Sequence, residues 1–320
     1  MKHLLISLLL LSSVNISAQT TVVKRQQKQQ TTVNSNKSAN DAARKRAEAN
    51  RREQERQNEL RQEQLRKEQE ERLAKLNSPV IGTSTYTPIV NTYTVDGITF
   101  QMVEVRGGTF HMGHTSEQEV VGPNETPVHE VTLSNYYIGQ TEVTQALWQA
   151  IMGNNPSRYI GSNLPVHKVS WNDCQDFIMR LNQKTGKHFR LPTESEWEFA
   201  ARGGIKSQGT QFSGAYSINN CAWYEGNSGN TPHPVATKQP NELGIYDMNG
   251  NASEWCQDWY GGYSSTQKYK DPIGPNSGSS RVIRGGAWFA AASLCRVSRR
   301  NAYKPDEDIT SGGLRLALSE

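Results

Sequence analysis

Apolar positions fall into three regimes along the chain. Leu4 to Leu11 is an apolar run, broken only by Ser7, behind Lys2, followed by small residues that include Ser17 and Ala18. This layout predicts a secretory signal peptide over 1–18, because the run is well short of the roughly 20 residues that a membrane span needs. No cysteine follows the run, which argues against a lipoprotein anchor. From Gln19 to Ala39 there is no apolar period and no acid, only a Gln-, Thr-, Ser-, Asn- and Lys-rich stretch, which predicts a disordered basic tether. Asn40 to Asn77 consists almost wholly of good helix formers with no Gly or Pro. Glu48–Arg52, Glu63–Lys67, Glu68–Arg72 and Glu71–Lys75 pair at i,i+4 in the favourable order, Asn40 or Asp41 caps the start, and Pro79 stops the run. Leu60, Leu65, Leu73 and Leu76 are its only large apolar residues and form no sustained heptads. The segment reads as a solvated spacer of roughly 50 Å at about 1.5 Å per residue, with a weak coiled coil joining copies of the chain as the alternative.

The pattern changes near Val95. Leu147, Trp148, Ile151 and Met152 share one helix face, with Thr144 as N-cap and Gly153 just past the end. Cys174, Phe177, Ile178 and Leu181 recur at helical spacing between Ser170 and Gly186. Thr193 and Glu196 have capping-box spacing ahead of a third helix that ends by Gly203. Short strands are expected at Phe100–Val105, His129–Leu133, Tyr136–Ile138, Arg281–Arg284 and Leu314–Ala317. The remainder reads as long ordered loops rich in Gly, Asn and Trp, whose backbone groups need side chains or bound ions as partners.

Charge follows the same division. The chain has 35 Lys and Arg against 31 Asp and Glu; up to Asn77 the balance is 16 to 9, and beyond it 19 to 22. The basic excess therefore belongs to the arm and says nothing about a ligand of the globular part. Nucleic acid is a poor partner for the helix over 40–77, where 9 acids nearly balance 11 bases. The mean hydropathy of −0.72 agrees with a segment solvated throughout. Four cysteines, Cys174, Cys221, Cys256 and Cys295, stand far apart with no CxxC, which disfavours zinc and allows three disulfide pairings.

The segments GGTFHMG, YYIGQTEVT, PVHKVSWNDC, FRLPTESEWEFAARGG, NELGIYDMNGNASEWCQDWYG, RVIRGGAW and GGLRLA occur in that order from Asp96 to Ala317. This succession resembles the sulfatase-modifying-factor family, whose namesake is the formylglycine-generating enzyme. The resemblance implies an α+β domain over 95–320 with little regular structure, related to the C-type lectin fold. It implies, in the namesake, two cysteines that bind copper(I) and oxidise a sulfatase cysteine with O₂. Set on Gly285–Gly286, the second of these falls on Cys295 and the first on Ala290, where no thiol stands. A linear bis-thiolate copper(I) needs two soft ligands, so the copper activity is not carried over. Cys295 then has three readings: a buried small apolar residue, a disulfide partner with Cys256 favoured, or a lone redox thiol.

The resemblance further implies a structural calcium, with Asp247 and Glu254 as side-chain ligands and Gly250 and Ala252 giving carbonyls. Hard oxygens suit that ion. The alternative is a metal-free turn held by Asn249 and Asn251. Near 221–230, where the family holds another calcium, Cys221 stands in place of an expected asparagine. His111 and His114 lack an acid at ligand spacing and read as solvated loop histidines. Iron-dependent sulfoxide synthases among the relatives draw their histidines from an additional N-terminal domain, which the charged helix does not resemble. Glu194, Glu196 and Glu198 suit a first helical turn. The expectation is an exported, periplasmic or extracellular protein that does not span the membrane. Its role would be binding or scaffolding towards an unidentified protein partner in the bacterial cell envelope, the alternative being a divergent metal-dependent oxidase acting on a protein or small thiol. Recognition of glycans or peptides on exposed tryptophans is a third reading, although tryptophans are more often core.

Overall fold

The computed structural model describes residues 44–54, 56–57, 63, 86–118, 122, 124–264 and 269–320. The expected signal peptide and tether lie outside the described residues, as does most of the charged segment. The part described, α1 (44–54), is helical and exposed throughout. Arg52 stands 3.8 Å from Glu48, and Arg56 3.9 Å from Glu53. The other three expected pairs reach residues outside the described ones.

The second unit, Ser84–Glu320, is α+β, as expected. Five strands form one sheet in the order β1 (Val90–Val95), β2 (Ile98–Val105), β5 (Tyr136–Gly139), β12 (Ala317–Ser319), β6 (Phe189–Arg190), all antiparallel. A second sheet runs β10 (Asn301–Tyr303), β9 (Arg281–Arg284), β7 (Ser253–Trp259), β11 (Gly312–Gly313). A third has the order β3 (Gly108–Met112), β4 (His129–Leu133), β8 (Tyr269–Lys270). The helices begin and end where the cap residues place them. In α2 (Gln145–Met152) the Thr144 hydroxyl accepts from Leu147 N–H, and Gly153 closes the end at φ 78°. A capping box joins Ser170 and Asp173 at the start of α3 (Trp171–Thr185), and another joins Thr193 and Glu196 at the start of α4 (Glu194–Ala201).

One strand expectation differs from the structure, and several strands carry none. Leu314–Ala317 is not one strand. Leu314 O accepts from Val143 N–H and Leu316 O from Gly139 N–H, while the buried Arg315 between them turns to Glu254. Pairing resumes only at β12. In contrast, β7 occupies a stretch that carries no strand expectation. It is the middle of its sheet, with Glu254, Trp255, Cys256 and Asp258 all buried, so no alternation marks it.

Trp148, Trp197, Trp255 and Trp288 are fully buried, in keeping with tryptophan as core. Every residue of α4 is buried, including its three glutamates. Each glutamate meets a guanidinium. Arg300 binds both oxygens of Glu194 at 2.6 and 2.7 Å, Arg190 binds both of Glu196 at 2.6 and 2.7 Å, and Arg284 and Arg202 bind Glu198 from two sides. The acids of this helix therefore serve more than its first turn: they thread a lattice of buried charge through the core. Such pairs hold because each ion has its counter-ion, and removal of one partner costs about 3–5 kcal/mol.

Candidate functional site

Gly285 and Gly286 follow β9 with φ of 92° and 82°. A Cβ on Gly286 would lie 2.6 Å from Cys295 Sγ, so the glycine makes room for the thiol. Cys295 is fully buried, and burial pushes its thiol up to about 11. Ala290 packs against the same small cluster, formed by Phe212, Ala215, Ile218, Cys221, Ala222 and Cys295. Cys256, the favoured disulfide partner, belongs to a different cluster with Trp197 and Val282, so the structure does not bring it to Cys295. It brings Cys221 there instead. All four cysteines are buried free thiols.

Asn249 ties the two segments together. Its Nδ2 donates to Cys295 O at 2.5 Å, and its Oδ1 accepts from Ser213 N–H at 2.6 Å and faces Cys221 Sγ at 3.8 Å. Burial raises the Cys221 thiol to about 12. The sequence signal for this neighbour is the cysteine standing where the family pattern has asparagine; its spatial consequence needs the fold. Residues 290 and 295 do not fit the two-thiolate copper site that the resemblance implies, since one of them is alanine.

The residues expected to hold calcium come together in part. Asp247 sits at φ 58°, 2% exposed, with Oδ2 accepting from Ala236 N–H and Oδ1 buried without an N–H partner. Glu254 is already neutralised: Arg315 binds both its oxygens, and Trp197 Nε1 donates to it at 2.6 Å. Sequence reasoning missed Glu142. One of its oxygens accepts from Ala252 N–H at 3.2 Å, and the other, Oε2, is buried with no N–H partner. Burial and then the Asp247 charge push Glu142 well above the carboxylate range, and burial brings Asp247 up to about 6. Asp247 and Glu142 hydrogen-bond each other side chain to side chain, so the pair shares a proton, and a hard cation between them would take that proton's place. Among the described residues no three His, Cys, Asp or Glu side chains converge as a metal site, so such an ion would draw its other ligands from carbonyls. The residues fit calcium at Asp247 with Glu142 better than at Asp247 with Glu254. The turn also has the asparagine supports of the metal-free reading, since Asn251 exchanges hydrogen bonds with the backbone of His233.

His111 is exposed on β3. His114 is half-buried rather than solvated, with Nε2 buried and unpartnered. No helix among the described residues is long and apolar enough to cross a membrane.

Comparison with known proteins agrees with this architecture. The chaperone protein LppX of Paenibacillus barcinonensis is 30% identical, aligned over 77% of this chain and 97% of that protein. The formylglycine-generating enzyme of Streptomyces coelicolor is 29% identical over 67% of this chain and 88% of that enzyme. Among solved structures, Treponema denticola variable protein 1 superposes with a TM-score of 0.67 at 34% identity, over 73% of this chain and 100% of that one. PvdO from Pseudomonas aeruginosa gives 0.62 at 26%, over 74% and 100%. Residues 94–320 match the sulfatase-modifying factor enzyme 1-like domain, and the chain belongs to that family.

Proposed function

We propose that the domain is an exported, non-catalytic binding or scaffold module of the bacterial cell envelope, with the charged helix as its spacer. The observation that carries this reading is the state of the cysteine position: Ala290 stands where the family's first thiol belongs, and Cys295 is sealed in apolar surroundings with its thiol held protonated. The thiolate is the metal ligand and nucleophile, and neutral pH leaves little of it here. The relative named a chaperone supports a binding role. The test incubates the reduced chain anaerobically with copper(I), then adds O₂ and a cysteine-bearing sulfatase peptide. The expected result is no stoichiometric copper and no formylglycine. Formylglycine in the peptide, absent with Cys295→Ser, would overturn the reading.

One observation favours a second reading, a divergent metal-dependent oxidase: Cys221 shares the Cys295 cluster and supplies a thiol from outside the family pair. Copper bound one per chain, and lost in both Cys221→Ser and Cys295→Ser, would decide for it.

We also propose a structural calcium at Asp247 and Glu142, completed by the Gly250 and Ala252 carbonyls. Calcium at 100 times its dissociation constant is expected to stabilise the fold by about 2.7 kcal/mol. Thermal unfolding with calcium and with chelator reads this directly. The shift should vanish in Asp247→Asn and Glu142→Gln and survive in Glu254→Gln. A shift lost in Asp247→Asn and Glu254→Gln but kept in Glu142→Gln would place the ion where the sequence alone put it.

A further inference from the structure

A cavity of ≈380 Å³ opens beside α4, away from both Cys295 and Asp247. Three aromatic rings, Trp259, Tyr263 and Tyr269, stand in its lining among Gly, Pro and Ile residues, and Asp258 lies there with them. His129 packs its ring 4.4 Å from Tyr263 and 5.5 Å from Tyr269, which fixes the two tyrosines relative to each other.

The charges around this cavity are unevenly paired. Arg300 lines it, but that guanidinium lies 3.9 Å from the Tyr263 ring centroid, is bound to both oxygens of Glu194, and donates to Asn124 O. Its charge is taken up within the wall. Arg284 also reaches Glu194, and Arg190 holds Glu196. Arg281 stacks on Trp171 and Trp259 and donates to Gln257 O. Asp258 is 4% exposed and accepts one hydrogen bond, from Glu194 N–H at 2.9 Å. Among the described residues no cation stands within ion-pair distance of it, although Arg300, Arg281 and Arg190 act on it at longer range. Its titration agrees with that isolation: burial, then the Glu194 and Glu196 carboxylates, outweigh the backbone donor and Arg300 and push it up to about 8.

We propose that this cavity binds an organic ammonium group, with Asp258 as its counter-ion and the rings of Trp259, Tyr263 and Tyr269 as its wall. Aromatic faces attract cations, and most strongly where water is excluded; Arg281 and Arg300 already take one face of Trp259 and one of Tyr263, which leaves Tyr269 and the opposite faces to a ligand. The volume lies in the range of about 300–1,000 Å³ usual for small-molecule sites. A metal ion is a poor occupant, because Glu194 is already held by Arg300 and Arg284, and Asp258 alone cannot supply the six or more oxygens that a hard cation takes. An anion would meet Asp258 and Glu194, and among the described residues no lining guanidinium is left unpaired. A neutral apolar ligand would leave the Asp258 carboxyl buried against it without a partner. This gives the binding role a ligand class without depending on the reading of Cys295, so either can fail while the other stands.

Linkage makes the proposal measurable. In the empty protein Asp258 holds a proton that the unfolded chain has released, so its contribution to stability is complete below the ordinary 3.8 and is lost as pH rises through about 8. An ammonium group needs the ionised form. Isothermal titration of the full chain with choline, and with 3,3-dimethylbutan-1-ol as its uncharged counterpart, is the test. Choline should bind, its affinity should rise about tenfold per pH unit from 6 towards 8, and close to one proton should be released per choline at pH 7. The neutral alcohol should bind at least tenfold more weakly. Asp258→Asn keeps an acceptor for Glu194 N–H and should lose both the choline affinity and its pH dependence. Trp259→Leu provides a second variant should the first fail to fold, and should weaken choline while leaving the proton release intact. Equal binding of choline and the alcohol, or choline binding unchanged in Asp258→Asn, would overturn the proposal, as would no heat of binding at any pH from 6 to 9.

Discussion

Arg315→Met is expected to destabilise the domain by about 3–5 kcal/mol, read as a fall in the urea midpoint at constant slope. Arg315 is fully buried and uses every nitrogen. Nε and Nη2 hold both oxygens of Glu254, Nη1 donates to Gly139 O at 2.9 Å, and Nη2 also reaches Tyr246 O at 2.8 Å. Methionine keeps much of the volume and removes the charge. Glu254 would then retain only the Trp197 indole as a donor, with Glu142 and Asp247 close enough for their charges to act on one another. Three buried carboxyls without a guanidinium are the arrangement that desolvation penalises most. The double change Arg315→Met with Glu254→Gln should recover part of the loss, because it removes the stranded charge as well as the cation. The same imbalance should make calcium stabilise Arg315→Met more than the natural protein, since an ion at Asp247 and Glu142 would replace some of the missing positive charge. A midpoint shift equivalent to less than about 1 kcal/mol would mean that water reaches Glu254, contrary to its complete burial.

The helices were legible because their ends are written in local chemistry. Thr144 with Gly153, Ser170 with Gly186, and Thr193 with Glu196 are decided within a few residues, and the structure uses all of them. β4 was legible because its buried and half-buried positions alternate. β7 was not, because burial on both faces removes the alternation that marks a half-buried strand. The site followed the same division. The positions of Cys295, Ala290, Asp247 and Glu254 could be read from the motif order. What each of them touches could not. Glu142 reaches Ala252 from the loop that leads into α2, and Cys221 reaches the Cys295 cluster from another segment altogether. Of the arginines that neutralise α4 and Glu254, Arg190 and Arg202 stand near the helix in sequence, but Arg284, Arg300 and Arg315 come from β9, the segment before β10 and the stretch beyond β11. A guanidinium far away in sequence leaves no periodic trace, so an acidic helix that is wholly buried reads as an exposed one.

Gly250→Ala should be the more damaging of two chemically identical changes, and the comparison isolates one contact. Gly250 has φ 72° and Gly229 has φ 63°, so alanine meets a similar left-handed backbone penalty of roughly 1–2 kcal/mol at each. Around Gly229 nothing lies within 4 Å of the added Cβ. At Gly250 that Cβ would fall 2.1 Å from Trp223 O and 2.9 Å from Trp223 C, backbone atoms with no side chain to swing aside. The neighbouring Asn251 N–H donates to the same Trp223 O at 2.7 Å, so relieving the clash means breaking the bridge between the two segments. A loss of about 4 kcal/mol or more is expected for Gly250→Ala, against about 1–2 kcal/mol for Gly229→Ala. The consequence reaches the candidate site from both sides. Trp223 follows Cys221 closely, Asn249 precedes Gly250 and binds Cys295 O, and Asp247 and Ala252 flank the same turn. Displacing Trp223 should therefore expose the Cys221 and Cys295 thiols, and a thiol reagent under native conditions should label both in Gly250→Ala and neither in Gly229→Ala. Equal stability of the two variants would show that the Trp223 segment yields freely, and the close packing of that segment on the Asn249–Asn251 turn would then not be what positions Cys221.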